Sequence, residues 1–206
     1  MTRSAFRAPF AATRDTACAL SADPGRWLPW AALPLAVAVA ALGAPPAGAQ
    51  DLTVPMHEVT TEGTGAQWGV VHAMDGPNGL VLQVELGPML SAGPHGFHVH
   101  QNPDCGPAQD HAGETVPGLG AGGHFDPDDT GMHRGPSGDG HLGDLPALWA
   151  VEGEAMSRFA VAPRLTVADL RGHALVIHQG GDNYRDEPEP LGGGGARVVC
   201  GVVPQQ

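Results

Sequence analysis

The chain contains no lysine. Its ten cationic residues are all arginine, they face 22 acidic residues, and the formal charge over 206 residues is −12. Four arginines (Arg3, Arg7, Arg14, Arg26) and two acids (Asp15, Asp23) precede residue 50, so the remainder holds six arginines against 20 acids, a charge of −14. A surface of that sign repels nucleic acid and anionic membranes, which argues against either as its partner. Cysteine is scarce: Cys18 lies near the start, and only Cys105 and Cys200 follow. Helical periodicity and internal repeats are missing. The longest apolar run, residues 31–43, is too short to span a bilayer comfortably.

That run leads into Ala47-Gly48-Ala49, a small-x-small cleavage pattern. Residues 1–49 read as a secretory signal cleaved near Ala49, with an uncleaved membrane anchor as the alternative. The expected organisation is therefore 1–49 as signal or anchor and 50–206 as one exported domain. Its expected location is periplasmic, extracellular or in the cell envelope, and only residues 1–49 would associate with a membrane. In an oxidising compartment, Cys105 and Cys200 suggest one disulfide. Closing a loop of ~95 residues is worth about 4–5 kcal/mol in the chain-entropy picture.

Glycine and proline are plentiful, 31 and 20 residues. Between them recur short alternating apolar runs at 67–74, 80–86, 96–100, 158–161, 174–178 and 197–203, separated by turn chemistry such as Asp75-Gly76-Pro77-Asn78-Gly79. Many short strands with such punctuation predict an all-β fold, a Greek-key immunoglobulin-like sandwich or barrel. Residues 165–171 read as a helical turn or a strand edge. Two stretches, 101–155 and 179–196, are too long and glycine-rich for hairpin loops. Loops of that length in a compact domain are usually functional, and these carry most of the remaining histidines and acids.

The sequence Gly96-Phe97-His98-Val99-His100 holds a paired chemistry. Side chains alternate along a strand, so His98 and His100 point one way and Val99 the other. His124, His133, His141, Asp144 and His178 follow. Two nitrogen-rich sets can be drawn from these residues. One is all imidazole: His98, His100, His124 and His178, suited to a tetragonal copper with room for a small molecule. The other has three imidazoles and a carboxylate: His124, His133, His141 and Asp144, suited to a closed tetrahedral zinc.

The segments HGFHVHQNPDC, AGGHFDP, MHRGPSGDGHLGDLPAL, ALVIHQGGDNY and PLGGGGARVVCGV together resemble the copper–zinc superoxide dismutases of the bacterial exported type. The resemblance spans residues 67–203 in the family's order. It implies one copper held by His98, His100, His124 and His178, and one zinc held by His124, His133, His141 and Asp144, with His124 bridging the two. It implies that Asp182 hydrogen-bonds His98 and His133, that Arg197 receives the anion beside copper, and that Cys105–Cys200 ties the first long loop to the last strand. The implied reaction is dismutation of superoxide to O2 and H2O2, with His124 and Arg197 as the catalytic side chains.

The remaining histidines carry less. His95 matches a structural residue of the family, and His57, His72, His111 and His173 have no partner at ligand spacing. Trp68 and Trp149 read as packing or interface residues, and 186–189 as a solvated loop. Gln101 stands where the family often has an acid, and Tyr184 where bacterial relatives often have histidine. Only Arg134, Arg185 and Arg197 lie near the site motifs. With this net charge, a rate below the family's norm and a weak salt dependence are expected. A copper-buffering module would need neither Arg197 nor a zinc set, and a cupin-like oxygenase would leave His133, His141, Asp144 and the disulfide unexplained. No stretch decides the oligomeric state; a homodimer is the favoured reading.

Overall fold

A computed structural model describes residues 51–205 of the chain. The expected signal or anchor over 1–49 lies outside the described residues. Among those described, no helix is long and apolar enough to cross a membrane.

The chain runs through β1 (Leu52–Thr60), β2 (Gly63–Gly76), β3 (Gly79–Leu86), β4 (Gly93–His95), β5 (Phe97–His100), β6 (Ala108–Gln109), β7 (Thr115–Val116), β8 (Leu148–Ala150), β9 (Met156–Ala162), α1 (Val167–Leu170), β10 (Ala174–His178) and β11 (Arg197–Val202). Seven strands form one antiparallel sheet in the order β5-β10-β11-β1-β2-β3-β9. The sheet curls on itself. Phe97, Val99, Leu175, Ile177 and Val199 from one half share a single core with Val54, Val71, Leu80, Leu82 and Val84 from the other. The predicted runs fall on β2, β3, β5, β9, β10 and β11. The ambiguous segment at 165–171 resolves as one helical turn, α1, started by a reciprocal Thr166–Asp169 capping box.

β1 is a strand that the alternating runs did not mark. Leu52, Val54 and Met56 do alternate, but Pro55, His57 and Glu58 interrupt the apolar pattern and the register shifts on both sides of His57. Proline is tolerated because the ladder to β11 covers only His57 and Glu58; at Pro55 the paired neighbour is Val70 of β2.

A second, smaller core lies on the other face of β10. Val59, Cys105, Ala121, Ala174, Val176 and Cys200 form it. The Cys105–Cys200 disulfide, with its Cα atoms 5.7 Å apart, sits within it. This patch seats the first long loop on the sheet, so the loop is fixed by apolar burial as well as by a covalent bond.

β5 lies at one end of the sheet, and loop segments take up its outer edge. Val99 N donates to Gly143 O (2.9 Å), Phe125 N to Val99 O (2.8 Å), Gln101 N to Gly123 O (3.0 Å) and Leu145 N to Phe97 O (3.2 Å). Isolated bridges align His98 with Asp144 and His100 with His124. Gly143 is required here: a Cβ would stand 2.3 Å from Val99 O. The long loop is thus registered against a strand residue by residue, and that registration fixes its histidines.

Candidate metal centre

β5 presents Phe97 and Val99 to the core and turns His98 and His100 to the opposite face, where both are buried. Opposite them on β10 stand Val176, paired with His98, and Ala174, paired with His100. His178 ends β10 where the register to β11 shifts. The loop pinned to the β5 edge then brings His124 and Asp144 over the same face.

The two donor sets assembled from the sequence meet here. His98, His100, His124 and His178 converge, as do His124, His133, His141 and Asp144, each set within 4.8 Å and each residue buried. The outer nitrogen of each ring shows which nitrogen faces inward. His100 Nδ1 donates to Gly122 O (2.9 Å) and His178 Nδ1 to Gly195 O (3.0 Å), which leaves two Nε2 atoms facing each other at 3.3 Å. His98 Nε2 donates to Asp182 Oδ2 (2.9 Å), which leaves Nδ1. His133 Nε2 donates to Asp182 Oδ1 (2.7 Å), which again leaves Nδ1. The Nδ1 atom of His98 is buried without a hydrogen-bond partner, whereas that of His133 faces the Asp144 carboxylate at 3.0 Å. An unpaired buried nitrogen is costly, and a metal ion is the partner that satisfies it.

In the second set, Asp144 Oδ1 lies 3.0 Å from His124 Nδ1, 3.0 Å from His133 Nδ1 and 3.3 Å from His141 Nδ1. Four ligands ~2.0–2.1 Å from a central zinc would sit roughly 3.3 Å apart, and the three spacings from Asp144 Oδ1 fit that distance. Asp144 Oδ2 is occupied elsewhere, accepting from Arg134 N (3.0 Å) and Gly135 N (3.1 Å). His124 belongs to both sets. Its Nδ1 faces Asp144, and Nε2, on the opposite side of the ring, is left for the imidazole set.

Electrostatics divide the centre. Burial, with the neighbouring histidines, holds His98 down to about 3 and His178 down to about 4. It also holds His100 well below the usual range and lowers His124. These rings are neutral at pH 7, as metal ligands must be. His133 differs. Burial opposes its proton, but the carboxylates of Asp144 and Asp182 beside it raise it to about 9. Burial likewise works against charge on Asp144 and Asp182, yet their histidine partners hold both well below the usual carboxylate range.

A pH profile of the metal-free protein follows. Below about pH 6.5 the unfolded chain protonates its histidines, while folded His98, His100, His124 and His178 resist. Stability therefore falls on acidification below about pH 6.5. The raised His133 works in reverse: its contribution is complete below about 6.5 and is lost as pH rises through 9. The denaturant midpoint of the metal-free protein should peak near pH 6.5, with the acid limb the steeper. A flat midpoint between pH 4 and 6.5 would contradict this.

The other sequence-predicted residues are placed as follows. Asp182 bridges His98 and His133, and also accepts from Tyr184 N (2.7 Å). Gly192 lies against it, where a Cβ would be 2.1 Å from Asp182 Oδ1. Arg197, half-buried at the start of β11, donates to Gly118 O (2.8 Å) and Gly122 O (2.6 Å). Gly122 O thus serves both Arg197 and His100. His95 lies between His178 O and Ser91 O, at 2.7 and 2.9 Å, and joins neither set. Asp186, expected to be only solvated, accepts from His133 N (3.0 Å).

Sequence reasoning missed two residues. Tyr184 adopts a left-handed backbone (φ 59°), stacks its ring against Gly135, and accepts from Ala147 N at 3.0 Å through its hydroxyl. The sequence marked it only as a departure from the family. Arg164, remote from every site motif in sequence, reaches the loop that carries His133 and His141.

A family model described as copper/zinc superoxide dismutase (SODC) matches residues 68–203. The copper–zinc superoxide dismutase of Brucella abortus is 49% identical over 159 residues, which cover 77% of this chain and 91% of that protein. Among solved structures, the Cu/Zn superoxide dismutase from Brucella abortus superposes with a TM-score of 0.72 at 48% identity, over 75% of this chain and 99% of that one. The monomeric copper, zinc superoxide dismutase from Salmonella enterica superposes with a TM-score of 0.66 at 45% identity, over 74% of this chain and 99% of that one.

Proposed function

Because the chain belongs to the copper/zinc superoxide dismutase family, we propose that His98, His100, His124 and His178 hold its copper and that His124, His133, His141 and Asp144 hold its zinc. The activity is dismutation of two superoxide ions, with two protons, to O2 and H2O2, and the cofactors are one copper and one zinc. The observation that carries the residue assignment is His124, shared by the two donor sets. Held by these residues, copper would supply one-electron exchange with superoxide and zinc a fixed positive charge.

The chain's own groups do the rest. Arg197 orients the incoming anion through charge-assisted N–H donors that its two carbonyl bonds leave free. Asp182 keeps His98 and His133 in the tautomers that direct Nδ1 inward. His124 keeps Nδ1 on the Asp144 side, and its Nε2 is the atom that takes up and hands on a proton.

Two coarser features belong to the proposal. Export is supported by the 31–49 segment and by the disulfide. A homodimer is supported by Trp149, Val151, Phe159 and Val161, large apolar side chains left exposed on or between β8 and β9. Sedimentation of the parent and of Trp149→Glu tests the dimer; identical monomeric behaviour would rule it out.

The deciding experiment for the function measures metal content and superoxide dismutation together on protein loaded with both metals. One copper and one zinc per chain with dismutation supports the assignment. Both metals bound without dismutation would leave a copper-binding module.

A further inference from the structure

We propose that Arg164 is a positioning residue for the zinc site, holding the backbone of the loop that supplies His133 and His141. This rests on reading His124, His133, His141 and Asp144 as the zinc ligands. Arg164 follows Pro163 at the end of β9. Its guanidinium donates to three carbonyls of one short stretch: Gly138 O, Gly140 O (3.0 Å) and His141 O (2.7 Å). The last belongs to a proposed ligand. His141 N is fixed as well, donating to Met132 O at 2.8 Å. His141 is therefore clamped at both backbone groups, and its side chain is directed at Asp144.

The clamp has a firm base. Leu165, next in sequence, is fully packed in the core, and its carbonyl accepts from Leu80 N of β3 (2.9 Å). Thr166 and Asp169 cap α1, and Val167 N donates to Asp75 Oδ1 (2.8 Å). Arg164 thus projects from the sheet's own framework. The loop it holds is tightly packed: a Cβ at Gly140 would meet Met132 O at 2.1 Å, and one at Gly138 would meet Arg134 O at 2.4 Å. The two terminal nitrogens of the guanidinium divide the three carbonyls between them, a planar geometry that lysine's compact ammonium would not reproduce. A support that orients a ligand typically matters by 10–100-fold in metal affinity.

The test compares the parent with Arg164→Met and Arg164→Lys, each as full-length protein. Zinc and copper affinities are measured separately by chelator competition, and the metal-free unfolding midpoint is recorded. Cobalt(II) in place of zinc reports tetrahedral geometry through its visible absorption. The expected result is a zinc affinity about 10–100-fold weaker in Arg164→Met, a loss of cobalt intensity, a copper affinity within about threefold of the parent, and an intermediate Arg164→Lys. Equal zinc affinity in parent and variants would overturn the proposal. So would zinc and copper affinities falling in step, because a general loss of fold acts on both. If Arg164→Met does not fold, Arg164→Lys decides by the same zinc-to-copper comparison. A parent that binds no zinc would instead fail the ligand assignment itself.

Discussion

Arg197→Ala is expected to lower kcat/KM for superoxide roughly a hundredfold while copper and zinc stay bound. The magnitude is that of deleting one preorganised donor to an oxyanion. The guanidinium is held by Gly118 O and Gly122 O, so the protein has already met the cost of orienting it before the anion arrives. Removing it leaves those carbonyls without that donor but takes nothing from either donor set. Arg197→Lys keeps the charge and loses the planar fork, and should recover only part of the rate. Stopped-flow or pulse-radiolysis rates at several salt concentrations, beside metal content, check both variants. Because residues 50–206 carry −14 and no lysine, the parent rate should depend only weakly on salt, and a steep fall with salt would contradict that. Unchanged kcat/KM in Arg197→Ala would remove the residue from the site.

Asp144→Ala is expected to weaken zinc binding by at least ~100-fold, beyond the range seen when only an outer support is removed. One carboxylate has two tasks here. Its Oδ1 faces three imidazole nitrogens, and its Oδ2 accepts from Arg134 N and Gly135 N. Alanine removes a ligand and also leaves two backbone donors unpaired, so the loop loses order together with the metal. Asp144→Asn keeps an acceptor for those donors and should retain more of the fold than of the zinc affinity. The imidazole set should survive better, since His98, His100 and His178 each have their own outer partner. Titration of the metal-free variants adds a signed check. Asp144 helps to raise His133 to about 9, so removing its charge must move that value down. Chelator competition and proton resonances of the imidazoles measure the two effects.

The residues assigned as ligands were legible in the sequence as two donor sets, but local rules place only three of them. His98 and His100 share a strand face by alternation, and His178 ends an unbroken apolar run. Asp182 and Arg197 were legible only through the resemblance, since nothing in their spacing says what they touch. β1 was hidden because a proline, a polar pair and two register shifts spoil its alternation. Arg164 was hidden for a different reason: it acts through backbone carbonyls more than 20 positions away, and carbonyls leave no trace in a sequence. The same holds for the edge of β5. A strand of four residues gives no sign that its unpaired side will register a long loop.

That registration has a consequence for solubility. The row of amides and carbonyls along β5 that pairs with residues 123, 125, 143 and 145 is, when stripped of them, a template on which a strand of another chain can add. The opposite edge, β9, carries its own deterrent in Arg158, which shares a register face with the buried Met156 and Ala160 yet stays exposed. β5 has only hydrophobic residues and uncharged imidazoles to offer. Its protection is the loop, and the loop is held by the second apolar core and the disulfide. Whatever releases that loop would therefore open β5 to strand addition by another copy of the chain.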